Sequence, residues 1–239
     1  SFFIVRNGSN TNVFTVDESG NGVLNGTCAS AGADCAVDLA ERHYSLLPAK
    51  PGFIMSVDNS PAANQVGTVR AASHPNDPTV IGVVSTNPAI TIFGSQVSIN
   101  PGGTPQIDPY EPAIALSGRV PVVVTSKGGT IYKGDPISSS SIQGTGMKSV
   151  KAGTIVGKAL ESTENWNSAN CPNVSSIADI TWPADGGTNP NKPCFTLPDG
   201  TLVGKIDINQ TSSRIDKLEK ENQELKDRIK RIEEKLGIQ

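Results

Sequence analysis

The chain has 239 residues, of which 36% are hydrophobic, 18% charged and 5% aromatic, with 24 glycines and 17 prolines. That length holds one or two compact domains plus an extension, and the balance suits short strands joined by many turns rather than a large cytosolic enzyme. A net charge of −3 predicts no nucleic-acid partner, no apolar run is long enough to span a membrane, and much of the charge is gathered after Ser213.

Phe3-Ile4-Val5 runs into Asn7-Gly8, and residues 13–17 run into Gly20-Asn21-Gly22. Both read as short β units, because these turn sequences tolerate positive φ. They are too few and too short to be stable alone, so interdigitation with symmetry mates is expected. The chain opens strand-like at Ser1 without a signal peptide, which points to a processed product or a fragment of a longer protein. We assign residues 1–34 to this β stalk.

A small-residue loop from Cys28 to Cys35 leads to Val37-Asp38-Leu39-Ala40-Glu41-Arg42, a helix-like or irregular stretch. Residues 50–161 then alternate in β fashion, with strands expected at 53–57, 66–71, 80–85, 113–116, 120–125, 147–150 and 154–160. The fold class is therefore mainly β: a short stalk, a barrel or sandwich body over 35–164, and a helical C-terminus. An internal repeat is visible in the body. Pro51-Gly52-Phe53-Ile54-Met55-Ser56, Thr68-Val69-Arg70-Ala71 and Thr79-Val80-Ile81-Gly82 match Lys133-Gly134-Asp135-Pro136-Ile137-Ser138, Gly146-Met147-Lys148-Ser149 and Thr154-Ile155-Val156-Gly157. A duplicated β module explains the match, and chance likeness among Gly/Val/Ser-rich strands competes with it.

Residues 165–206 form a polar loop and hairpin clamped by cysteines and carrying Trp166 and Trp182. Its length marks it as a functional loop or a packing arm. The tryptophans are low-ranking candidates for a glycan or receptor platform, against the commoner reading of a small satellite core. The four cysteines fall in two local pairs, Cys28 with Cys35 and Cys171 with Cys194, and neither pair has the spacing of a structural zinc site. Disulfides are expected, with four free thiols as the alternative, and they imply an oxidising, extracellular compartment. His43 and His74 lack triad or metal-ligand company. Asp17-Glu18 with Asn21, or Asp108 with Glu111, offers carboxylates for calcium, but solvated turns are commoner. No metal or cofactor is assigned. Asn7, Asn25, Asn173 and Asn209 head glycosylation sequons that matter only if the host glycosylates.

Residues 207–239 carry the clearest pattern. Ile215, Asn222, Ile229 and Leu236 fall at heptad position a, and Leu218, Leu225 and Ile232 at d. Arg214, Glu221 and Arg228 at g face Glu219, Lys226 and Glu233 at e of a parallel, in-register neighbour. The stripe is a narrow a/d seam rather than the broad face of a helix packed on a body. Ile at a, Leu at d and the polar Asn222 lean towards two strands. The windows from Arg214 to Glu219 and from Arg228 to Glu233 instead follow the Arg-h-x-x-h-Glu pattern of three-stranded coils, and we expect a homotrimer.

Asp38-Leu39-Ala40-Glu41, residues 51–58 and residues 80–88 resemble the peptidase G2 domain, an autoproteolytic intramolecular-chaperone module of phage tail spikes and neck appendages. Residues 115–122 and 156–161 resemble the related modules that end bacterial surface fibres. The likeness spans 34–161 through short motifs. It implies a trimeric β fold that nucleates assembly of a fibre lying N-terminal to it, outside the cell or on a virion. It also implies self-cleavage between Asp34 and Cys35, with Cys35 as nucleophile and Asp38 or Glu41 handling protons. The family has serine where Cys35 stands, and a Cys28–Cys35 disulfide would remove the thiol. The structural role is therefore favoured over autoproteolysis, and no other enzyme activity is expected. A receptor-binding adhesin or a filament subunit linked through the Phe2-Phe3-Ile4-Val5 strand is a further reading.

Overall fold

The computed structural model describes residues 37–60, 62–63, 66–85, 87–99, 108–180 and 194–210, and three strands before them. Those three, β1 (Phe3–Arg6), β2 (Asn12–Val16) and β3 (Gly22–Leu24), form an antiparallel sheet of their own in the order β1-β2-β3. The stalk sequence thus pairs as a meander. Asp34, both N-terminal cysteines, Trp182 and the heptads after Gln210 lie outside the described residues.

The body is mainly β, with a five-stranded barrel and outer strands. Its strands are β4 (Val37–Arg42), β5 (Ile54–Val57), β6 (Val69–Ala71), β7 (Val80–Val84), β8 (Ile90–Phe93), β9 (Gln96–Ile99), β10 (Ala113–Thr125), β11 (Pro136–Ser139), β12 (Gly146–Lys148), β13 (Gly157–Ala159), β14 (Cys194–Thr196) and β15 (Leu202–Gln210). The barrel closes in the cycle β10-β15-β13-β11-β12-β10. Its last seam is a single parallel bridge between Val124 and Gly146. A second cycle runs β4-β10-β7-β5-β6. It closes in the same manner, with a parallel bridge between Ser45 and Val69.

The two cycles share β10. Val120, Val122 and Val124 bury one face of it in one core cluster, and Ile114 and Val123 bury the other face in a second. A strand buried on both faces must be apolar nearly throughout. The sequence is interrupted only by Ser117-Gly118-Arg119, which reads as a turn between two strands. In the structure it is a bulge: the register with β4 shifts between Ala115 and Ser117, and Gly118 takes φ +111°. Glycine absorbs that backbone without a break, so one strand of 13 residues replaces the two expected ones.

The pairing of the two cycles agrees residue by residue with the sequence repeat. Met55 pairs with Gly82, and Ile137 with Gly157. The Gly52 N–H donates to Val84 O and the Gly134 N–H to Ala159 O, at 2.9 and 2.7 Å. Both glycines lie at positive φ, +84° and +88°. Val83 and Val84 then pair with Ala115 and Ile114 as Lys158 and Ala159 pair with Asn209 and Ile208. The middle strand is the exception. Ala71 lies opposite Met55 and Lys148 opposite Ile137, so Arg70 corresponds to Met147 and not to Lys148. A one-residue slip exchanges the faces of a strand, and each base accordingly finds its own carboxylate. Arg70 lies 3.6 Å from Asp77, and Lys148 lies 2.8 Å from Asp135.

Two further differences bear on function. Val37–Arg42 is a strand rather than a helix-like stretch, held by antiparallel pairing to β10 and parallel pairing to β8. Alternation puts Ala40, fully buried, inward, a tertiary context that overrides its helix preference. The sequence of residues 197–206 reads as a hairpin or strand leading to the heptads. In the structure β15 extends from Leu202 to Gln210 and is built into the barrel wall, with eight of its residues paired with β10 and two with β13.

Candidate functional site

Among the candidates of the sequence, Asp38 is placed most unusually. It is 5% exposed on β4, opposite Gly118 of β10. On the other side of Gly118 lies Gln210, the last residue of β15 and also buried. Gly118 carries no side chain, so none stands between the two positions. Asp38 Oδ2 and Gln210 Oε1 are both buried without a hydrogen-bond partner among the described residues. Buried polar atoms are nearly always satisfied, so two orphans flanking Gly118 at one level of the sheet make this seam unusual. The first strand of the body begins beside this seam, at Val37, and its last strand ends there, at Gln210.

Burial pushes the Asp38 carboxyl up to about 6, against the lowering influence of the neighbouring Ser85 hydroxyl and of its own backbone N–H. Such a group holds or releases a proton near neutral pH. Glu41 does not join it. Three residues apart on a strand, the two carboxylates point to opposite faces. Glu41 Oε2 instead lies 3.8 Å from His43 Nε2, while His43 Nδ1 is 3.1 Å from the carbonyl of Gly67. The two alternatives that the family resemblance offers for handling protons thus stand on opposite faces of β4. His74 is also remote, its Nδ1 resting 3.2 Å from Ser73 Oγ.

A second feature is an open cleft of about 270 Å³ lined by Tyr44, Ser45, Leu46, Thr68, Asp108, Tyr110 and Glu111. Asp108 Oδ1 there accepts the Tyr110 N–H at 2.8 Å, the geometry of a turn cap. Among the described residues no three His, Cys, Asp or Glu side chains converge as a metal site. Tyr44 meets Phe93 of β8 edge-on, with ring centroids 6.2 Å apart. Tyr44, Leu46, Leu47 and Tyr110 are all exposed. Sequence reasoning missed this cleft because its aromatic residues are scattered singly between loop and strand ends.

Trp166 is partly buried and packs against the barrel core. Cys171 and Cys194 form a disulfide with a Cα–Cα distance of 4.8 Å. Beside it the Thr196 N–H donates to Pro172 O at 2.9 Å and the Val174 N–H donates to Thr196 O at 3.0 Å. Residues 172–174 therefore lie along the outer edge of β14. No helix among the described residues is long and apolar enough to cross a membrane. No known protein family, curated protein or solved structure matches the chain.

Proposed function

We propose that this chain is the trimerisation and assembly module at the C-terminal end of an extracellular fibre or tail-spike-like protein. The observation that carries this reading is the attachment of the heptads. β15 runs through the barrel wall to Gln210, and the first a position, Ile215, follows five residues later. A coil joined so closely to a barrel strand transmits its three-fold register directly to the β body. The Cys171–Cys194 disulfide agrees with an oxidising, extracellular setting. The matched hydrogen bonds at Gly52 and Gly134 support a duplicated module as the origin of the body. Such a body, with many non-local strand pairings, folds slowly, and early association through a local helix would hold its strands in register.

Light scattering on the native 24.9 kDa chain is expected to give three times that mass. Replacing Ile229 and Ile232 together by aspartate places charges in two adjacent seam layers and should reduce the mass to one chain. A trimer that survives the double substitution would sink the reading.

A self-cleaving maturation domain is the second reading, favoured by one observation: Asp38, with its raised pKa and unpaired oxygen, lies three residues after Cys35. Expression with upstream sequence should then yield two bands that merge into one in Cys35→Ala. One uncleaved band in the parent removes this reading.

A further inference from the structure

The sheet has two ends, and they are treated differently. β14 is lined by the disulfide-clamped segment at Pro172 and Val174. β9, at the other end, pairs only with β8 among the described residues. Its Gln96, Val97 and Ser98 are exposed, Val97 at 64%. Soluble proteins guard such an edge with lysine, proline, a bulge or a covering loop. Here no charged residue occurs between Asp77 and Asp108, and β8–β9 are continuously paired over four residues without a bulge. An edge without charge and unpaired among the described residues invites pairing with another strand.

The edge is also continuous with the exposed aromatic cleft. Phe93, at the turn end of β8, rests against Tyr44, and Tyr44 lines the cleft with Leu46 and Tyr110. Strand register then fixes where this surface stands relative to the end of β15. Gln210 lies opposite Gly118, Gly118 opposite Asp38, the adjacent Leu39 opposite Ile90, and Ile90 opposite Ile99. Gln210 and the β9 edge therefore stand at the same level of one sheet, four strand spacings or roughly 19 Å apart measured along it.

We infer that the β9 edge, with the Tyr44–Phe93–Tyr110 surface beside it, docks a second copy of this chain. This rests on the reading of the chain as a self-associating module. The heptads hold copies at high effective concentration, so a second copy meets the edge before any other protein does. Main-chain hydrogen bonds along β9 would supply the affinity, and the aromatic surface the fit.

The test places a photoreactive p-benzoylphenylalanine at Val97 in the full chain, with Val150, also 64% exposed, as the control position. Irradiation should shift position 97 to twice the chain mass and leave position 150 at one. A trimer by light scattering with no adduct at 97, or with equal adducts at both positions, overturns this inference alone. A monomer by light scattering overturns it together with the assembly reading.

Discussion

Gly157→Ala is expected to destabilise the chain by about 2–3 kcal/mol, the cost of forcing a methyl group into a space already filled by backbone. A Cβ at Gly157 would overlap the carbonyl oxygen of Asn209 and lie 2.9 Å from its carbon. Gly82→Ala should behave alike, because a Cβ there would overlap the Ala115 carbonyl oxygen and lie 2.7 Å from the Ile114 side chain. Backbone in a strand cannot rotate aside as the end of a side chain can. The two glycines hold corresponding places in the two cycles, each where the third strand of a module crosses closest to the long strand that follows. Gly153→Ala is the control: its Cβ would meet nothing nearer than 3.7 Å, at Asn76, so stability should change by less than about 0.5 kcal/mol. Urea midpoints of the three variants and the parent decide the matter. A Gly157→Ala midpoint equal to that of Gly153→Ala would remove the claim that close strand approach fixes this glycine.

The same pair of glycines shows how much of the fold was legible. Thr-Val-Ile-Gly and Thr-Ile-Val-Gly align in the sequence, and the structure gives both glycines the same strand partners, Met55 and Ile137. Turn glycines were legible for the same reason, since Gly52 and Gly134 occupy backbone that other residues rarely adopt. The middle strands were aligned one residue out. Arg70 and Lys148 look equivalent by charge, but strand register follows hydrogen bonding and burial, which charge does not report. β8, β9 and β14 were not anticipated, being runs of three or four residues whose pairing partners are distant in sequence.

The candidate site was legible only in part. The resemblance to the peptidase G2 family drew attention to Asp38, and its burial makes it chemically unusual. No sequence signal tied it to Gln210, which is brought to the same level by pairing through Gly118. Glu41 entered through the same Asp-Leu-Ala-Glu likeness, as the alternative to Asp38, and strand alternation puts the two on opposite faces.

Asp38→Asn is expected to change the pH dependence of stability between pH 4 and pH 7. The folded-state carboxyl is raised to about 6 from 3.8, so the folded chain binds this proton more tightly than the unfolded chain does. Its favourable contribution is fully present below about pH 4 and is lost as pH rises from 4 to 6, a total of about 3 kcal/mol. Asparagine keeps the size and cannot ionise, so the variant should gain about that much on the parent between pH 4 and pH 7. Asp77 and Asp135 act in another window. Burial works to raise both, but Thr79, Ser56 and Arg70 outweigh it for Asp77, and Lys148 and the Tyr132 N–H for Asp135, so both are held below their ordinary value. Their contributions are present at neutral pH and fade only as pH falls below about 4. Denaturant titrations at pH 4, 5, 6 and 7 separate the two windows. Parallel profiles for parent and variant would show that Asp38 finds a partner for its charge. A carboxylate that weakens the fold at pH 7 is not explained by packing, and the same variant tests its use. If self-cleavage occurs beside Cys35, Asp38→Asn should slow it while raising stability, two opposite effects that a purely structural residue would not combine.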